Sequence, residues 1–167
     1  GKIVSIISDA GTPILSDPGN ILVKECIKEK INTVPIPGAS SVIASISVSG
    51  FGDQFLFYGF LPKKEKDVEK TLLSLSNVNY SLVFFIPSVK INFYLKQFKK
   101  FFIERNIFIA KEISKIHETF YRSSIIDMKL FNSPLKGELT IVISNKLNKK
   151  NKQNSTINLN LEKEAIK

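Results

Sequence analysis

Cysteine occurs once, as Cys26, histidine once, as His117, and tryptophan not at all; arginine is confined to Arg105 and Arg122. A lone cysteine excludes an intrachain disulfide framework and a multi-cysteine zinc site, and no metal is expected. No continuous apolar run reaches the roughly 18 residues of a membrane span, so no membrane partner is expected. The sequence opens on strand-like residues, without the basic region and long apolar stretch of a signal peptide, and cytoplasmic residence is the default expectation. Scarce arginine also qualifies the charge. The formal net charge is +9, but lysine supplies nearly all of it, in a chain heavy in Asn and Ile. That balance permits contact with nucleic acid without requiring it. The 167 residues suffice for one ordinary domain or two small ones with a real core.

Glycine and proline are few but concentrated. "ISDAGTPILSDPG", residues 7–19, repeats itself: Ser8-Asp9-Ala10-Gly11, then Ser16-Asp17-Pro18-Gly19. Upstream, Lys2 to Ile7 is a β-branched apolar run of strand length. Downstream, from Asn20 to Lys30, the apolar residues Leu22, Val23, Cys26 and Ile27 fall at helical spacing. The segment therefore reads as a strand-to-helix crossing. Ser16 or Asp17 can cap the helix and Pro18 fits its first turn. Gly11, Thr12 and Pro13 serve no capping purpose, and a loop at the carboxyl end of a buried strand is where open α/β sheets bind ligands. Glycine there allows close approach to the backbone and Thr12 offers a hydroxyl. A purely structural turn is the competing reading. A second strand is expected at Thr33 to Ile36. The glycine loop Pro37-Gly38-Ala39-Ser40-Ser41 and a small-residue helix, Val42 to Val48, follow it. The alternation predicts parallel βα units with both loops on one edge.

After Gly50-Phe51-Gly52-Asp53 the pattern changes. Strands are predicted at Phe55 to Phe60, Ser81 to Ile86, Ile107 to Ile113, Thr119 to Ile126 and Leu139 to Ser144. Helices are predicted from the charged segment after Lys63 to Leu75 and between Val89 and Phe102. The lysines of the latter form either a solvated face or an RNA contact. The expected organisation is α/β throughout. Residues 1–52 form the remainder of an N-terminal domain of parallel βα units, 53–145 a mixed-sheet C-terminal domain, and 146–167 a polar, Lys/Asn-rich mobile tail. A domain that begins on a parallel strand with its glycine loop already in place reads as one missing its beginning.

"SDAGTPILSDPG", "VPIPGASS", "FYGFLPKK", "AKEISKIHETFYR" and "KGELTIVI", in this order and at these separations, closely resemble the ribosomal RNA small-subunit methyltransferase I family. Its fold is the tetrapyrrole-methylase-like, class III S-adenosylmethionine (SAM) fold. The resemblance runs from Lys2 to Ser144. It implies two α/β domains with SAM in the cleft between them, a homodimer, and 2′-O-methylation of a cytidine in small-subunit (16S) ribosomal RNA. It also implies that an amino-terminal segment of about half a domain, with a Pro-Ile-Gly-Asn-Leu-like turn, is absent. Two positions depart from the family pattern. Ile86-Pro87-Ser88-Val89-Lys90 stands where Glu-Ser-Pro-His-Arg is usual, and Ser123 where glycine is usual.

Beside that resemblance, Asp9, Ala10, Gly11, Thr12, Ser40, Ser41 and Ile86 are the expected cofactor contacts. Asp9 either accepts from the cofactor's ammonium or ribose or caps a turn, and Asp17 reads as a helix cap. A ribose 2′-hydroxyl is a poor nucleophile that benefits from a nearby base. The cluster Lys111, Glu112, Lys115, His117, Glu118 and Arg122 supplies candidates: His117 as base or as a structural histidine, with Glu112 and Lys111 beside it. Lys111, Lys115 and Arg122 are the expected RNA contacts. Two alternatives remain open: a tetrapyrrole (precorrin-type) methyltransferase on the same fold, and a non-catalytic remnant that dimerises or binds RNA.

Overall fold

The computed structural model describes residues 2–9 and 11–146. Ala10 and nearly all of the expected tail, residues 147–167, lie outside the described residues. The described chain is built around a five-stranded sheet with spatial order β1-β2-β5-β3-β4. Its strands are β1 (Phe55–Phe60), β2 (Ser81–Pro87), β3 (Asn106–Lys111), β4 (Thr119–Ser124) and β5 (Glu138–Ile143). β1 and β2 are parallel, whereas β5 runs antiparallel to both β2 and β3, and β4 antiparallel to β3. The expected mixed sheet is therefore present.

Each strand alternates its side chains across the two faces, and the interior strands are apolar on both, as a doubly covered sheet requires. On one face, Leu82, Phe84, Ile86, Ile107, Ile109, Leu139, Ile141 and Ile143 pack under α3 (Glu65–Ser76) and α4 (Ile91–Phe101). Val68, Leu72, Tyr94, Leu95 and Phe98 fill the gap from the helix side. A short 3-10 turn, Ser88–Lys90, links β2 to α4. On the other face, Val83, Phe108, Ala110 and Val142 meet α2 (Ser41–Ser49) through Val42 and Ile46. Small residues on α2, with Ser45 and Ser49 both buried, let the helix lie close to the strands.

One buried cation joins the carboxyl end of α3 to the sheet. Arg105 is 2% exposed, and its guanidinium donates to the carbonyls of Ser76, Val78, Tyr80 and Ser144. It also lies 5.1 Å from the Phe102 ring centroid. Burial lowers its pKa from the ordinary arginine value.

The amino-terminal region departs from expectation. Helix α1 (Asn20–Lys28) and α2 form as their spacing predicts, but residues 2–7 and 33–36 are not strands. Neither has a ladder partner among the described residues. A β-branched run encodes an apolar, extended preference; a strand also needs a neighbour for its N–H and C=O groups. The parallel βα units are thus represented by their helices and loops alone. The predicted cap is also displaced. The N-cap of α1 is Gly19, at φ 132°, with no side-chain cap hydrogen bond. Pro18 precedes the helix, and Ser16 and Asp17 are too far upstream to cap it.

Candidate functional site

The parallel strands β1, β2 and β3 all end at the same edge of the molecule, at Phe60, Pro87 and Lys111. The two glycine loops meet there. Thr12 Oγ1 donates to the Ala39 carbonyl at 3.3 Å. Gly11 has φ +77°, and a Cβ on it would lie 3.4 Å from that same oxygen. The expectation that the loops share an edge is met by this contact. The first loop also bends over β1: a Cβ on Gly59 would stand 3.1 Å from Ser16 Oγ. Gly59, at φ +82°, sits at the bulge where the β1–β2 register shifts. This contact escaped the sequence reading, although a glycine inside the aromatic strand "FYGF" is the signal for a bulge or a close backbone approach.

The first loop is internally tied and strained. Ser8 Oγ donates to the Gly11 carbonyl at 3.0 Å. Ile14 has φ 76° and Ser16 φ 64°, a conformation that costs a side chain of this kind on the order of 1–3 kcal/mol. The second loop ends in a well-formed cap, with Ser40 Oγ accepting from the Ile43 N–H at 3.4 Å. Asp9, Gly11 and Thr12 are exposed, and Ser40 and Ser41 half-buried. Ile86 ends the parallel strand β2 nearby, but its side chain is 2% exposed and belongs to the core under α3 and α4.

The second group of candidates lies in the turn joining β3 to β4. This turn is strained too, with Glu112 at φ 53° and Ser114 at φ 63°. Of the five positive-φ non-glycine residues among the described residues, Ile14, Ser16, Glu112 and Ser114 fall in these two segments, the kind of concentration that marks functional segments. The Glu112 carboxylate accepts from the Glu138 N–H at 2.7 Å and from Lys115 Nζ at 3.1 Å. Those bonds, the backbone one foremost, hold its pKa below the usual glutamate value. Lys115 also pairs with Glu138 at 2.9 Å, and its pKa is raised by these carboxylates. Gly137 makes the arrangement possible, because a Cβ there would fall 2.5 Å from the Glu112 carboxylate.

Within this turn Lys111 Nζ donates to the His117 carbonyl at 3.4 Å, and Thr119 Oγ1 donates to it at 3.3 Å. Glu118 accepts from the Ser114 N–H at 2.6 Å. The His117 residue is exposed, and its imidazole makes no hydrogen bond among the described residues. The structure thus gathers Lys111, Glu112, Lys115 and His117 in one turn, and Gly11, Thr12, Ser40 and Ser41 in one pair of loops. The first loop lies over β1, three strand spacings from β3 in the sheet order, about 14 Å at the usual spacing, whereas the second leads into α2, whose Val42 packs with Phe108 and Ala110 of β3. Arg122 departs from the cluster. Its Nη2 donates to the Val48 carbonyl at 2.7 Å, and its guanidinium carbon lies 4.6 Å from the Phe108 ring centroid. No group of three or more His, Cys, Asp or Glu residues among the described residues is arranged to hold a metal ion.

No protein-family model matches the chain. Curated relatives do. The chain is 40% identical over 150 residues to the ribosomal RNA small subunit methyltransferase I of Thermotoga maritima, covering 87% of this chain and 67% of that protein. To the Rickettsia prowazekii protein of the same name it is 37% identical over 166 residues, covering 98% of this chain and 58% of that one. The chain thus spans only part of the length of the relatives it matches. Among solved structures, the methyltransferase CobJ superposes with a TM-score of 0.60 at 15% identity, over 81% of this chain and 62% of that chain. A uroporphyrin-III C-methyl transferase from Thermus thermophilus, complexed with S-adenyl homocysteine, superposes with a TM-score of 0.51 at 14% identity, over 79% and 62%. At that identity the structural likeness carries the fold alone, while the relatives carry the lineage. With 40% and 37% identity to the two relatives over most of its length, and with its glycine loops and mixed sheet on the tetrapyrrole-methylase fold of the superposed methyltransferases, the chain belongs to the ribosomal RNA small subunit methyltransferase I family.

Proposed function

We propose that this chain carries the SAM-binding loops and the RNA-facing turn of an enzyme that methylates the 2′-hydroxyl of a cytidine in small-subunit ribosomal RNA. The observation that carries this reading is the junction of the two glycine loops, Thr12 on Ala39, over the carboxyl end of the β1–β2 pair. The residues present fit such a cofactor. Gly11 has no side chain to hold a ligand away, and Asp9, Thr12, Ser40 and Ser41 offer hydroxyls and a carboxylate beside it. SAM, when bound, supplies an activated methyl on a sulfonium. The task left to the protein is to hold the cofactor and the acceptor ribose in line and to take the proton of the acceptor hydroxyl.

His117 is the proposed base, since its imidazole is exposed and uncommitted. Glu112 and Lys111 hold the turn that presents it. Lys111 and Lys115 face the RNA in this reading. The division near residue 52, a homodimer and cytoplasmic residence belong to the same proposal. So does completion of residues 2–36 by further strands. No described residue before Val42 is buried, and Ile3, Val4, Ile7, Val34 and Ile36 are all exposed. That exposure also favours the second reading, a remnant without catalysis.

Titration calorimetry with S-adenosylhomocysteine, together with single-turnover methylation of small ribosomal subunits, separates the two. The enzyme reading expects measurable binding that Gly11→Val abolishes, and a rate lost in His117→Ala with cofactor affinity unchanged. Binding unaffected by Gly11→Val, or a His117→Ala variant at the wild-type rate, would remove the corresponding assignment. Absence of methylation in a chain that still binds RNA would support the remnant.

A further inference from the structure

The second glycine loop is the N-terminal end of α2, so its position is set by whatever fixes that helix. Val42 and Ile46 seat it on Val83, Phe108, Ala110 and Val142, and its other buried residues, Ser45 and Ser49, add little interdigitation against the strand surface. At the carboxyl end the situation differs. Arg122, on the edge strand β4, donates from Nη2 to the Val48 carbonyl at 2.7 Å. Its guanidinium carbon lies 4.6 Å from the Phe108 ring centroid and 5.6 Å from that of Phe120. The last carbonyls of a helix lack intrahelical partners and carry the negative end of its dipole, so a cation there is favourable on both counts. A planar guanidinium on aromatic rings has its direction set by the stacking. Arg122 is exposed and has no carboxylate partner among the described residues; its guanidinium meets a helix end and two rings.

We infer that Arg122 is a positioning residue for the second glycine loop. It pins the carboxyl end of α2 to β4 and thereby places Ser40 and Ser41 against the Gly11–Thr12 loop, an inference that rests on these loops holding the cofactor. The lever is short. A nine-residue helix is about 13 Å long, so a tilt of about 10° displaces each end by about 1 Å. Displacements of that size are felt at a reacting centre. Arg122 therefore acts on the cofactor loop through the helix, whereas a free surface arginine acts only on phosphate.

The test compares the wild-type chain with Arg122→Met and Arg122→Lys by amide exchange, S-adenosylhomocysteine calorimetry and the salt dependence of RNA binding. Loss of one hydrogen bond and the stacked cation is expected to speed exchange at the Ile43 and Ala44 amides about tenfold in Arg122→Met. The Ile109 and Val142 amides in the sheet stay as they were. S-adenosylhomocysteine affinity falls several-fold, and Arg122→Lys, which keeps a donor without the flat stacking, lies between. Exchange at Ile43 and Ala44 within twofold of wild type overturns the inference, as does a change confined to the salt dependence of RNA binding. Gly11→Val distinguishes the two layers. If it abolishes S-adenosylhomocysteine binding while Arg122→Met leaves that binding intact, the cofactor reading stands and the positioning role falls. If the wild-type chain binds no S-adenosylhomocysteine, the reading of the loops fails, and the positioning of a cofactor loop fails with it.

Discussion

Residues 2–36 are richer in β-branched and aliphatic residues than residues 55–143, yet the two regions end in opposite states. The later region closes a sheet with both faces covered and buries Phe84, Phe98, Phe108, Leu72, Ile109 and Ile141 almost completely. The earlier region buries nothing among its described residues and leaves Ile3 at 99% and Ile36 at 81% exposure. The difference lies in partners. Each strand from β1 to β5 has a hydrogen-bonded neighbour, and only then do alternating side chains converge on a common layer. Apolar composition supplies the driving force for burial, and pairing decides whether there is anything to be buried against.

The contrast is sharpest at Arg105. Replacing it by Met leaves the carbonyls of Ser76, Val78, Tyr80 and Ser144 without that donor. Arg105→Met is expected to cost roughly 3–5 kcal/mol in urea unfolding followed by the sheet signal. A loss below 1 kcal/mol would mean that water reaches these carbonyls. Next comes Gly137→Ala, where the added methyl meets the Glu112 carboxylate at a φ of +91°. About 1–3 kcal/mol is expected, with the loss concentrated in the β3–β4 turn. Calorimetric melting of Gly137→Ala, Glu112→Ala and the double variant checks it, since removing the obstructing carboxylate relieves the steric part of the strain and leaves the part set by the positive φ.

A subtler effect follows from the same carboxylate. The Glu138 N–H and Lys115 lower the Glu112 pKa, so the folded form holds the proton less tightly than the unfolded one. Its contribution is complete above the ordinary glutamate range and is lost as pH falls through the lowered folded value. Protection of the Glu138 amide, taken relative to its intrinsic exchange rate at each pH, is expected to fall in that window, and Glu112→Gln to abolish the pH dependence of the protection. The smallest effect is expected at Ile36→Ala. An exposed side chain without a packed neighbour changes stability by no more than about 0.5 kcal/mol. A larger loss in urea unfolding would show that residues 33–36 are buried in solution, erasing the contrast between the two regions.

Much was legible beforehand wherever periodicity and pairing agreed. The spacing of Ile91, Tyr94, Leu95 and Phe98 marks α4, and the continuous apolar run from Leu82 to Ile86 marks an interior strand; both form as read. The same reasoning misplaced strands at residues 2–7 and 33–36, because propensity is a property of a segment and pairing a property of two. It also misassigned the cap of α1, since Gly19 at φ 132° starts the helix three residues beyond Ser16. At the site, residue types named both candidate clusters and the meeting of the two glycine loops on one edge. They did not reveal that the first loop lies over β1, three strand spacings from the strand that leads to His117.

The sequence by itself determined the helices, the five sheet strands, the two glycine loops and the ordered motifs that carry the family, because these depend on local spacing and on backbone freedom at particular glycines. Only the tertiary structure decided what those residues touch. Ser16 lies over Gly59, the Glu112 carboxylate fills the space above Gly137, and Arg122 points at the end of α2. The last of these joins residues 74 positions apart. Such contacts follow from the order in which strands pair, a property of the whole sheet that no single segment encodes.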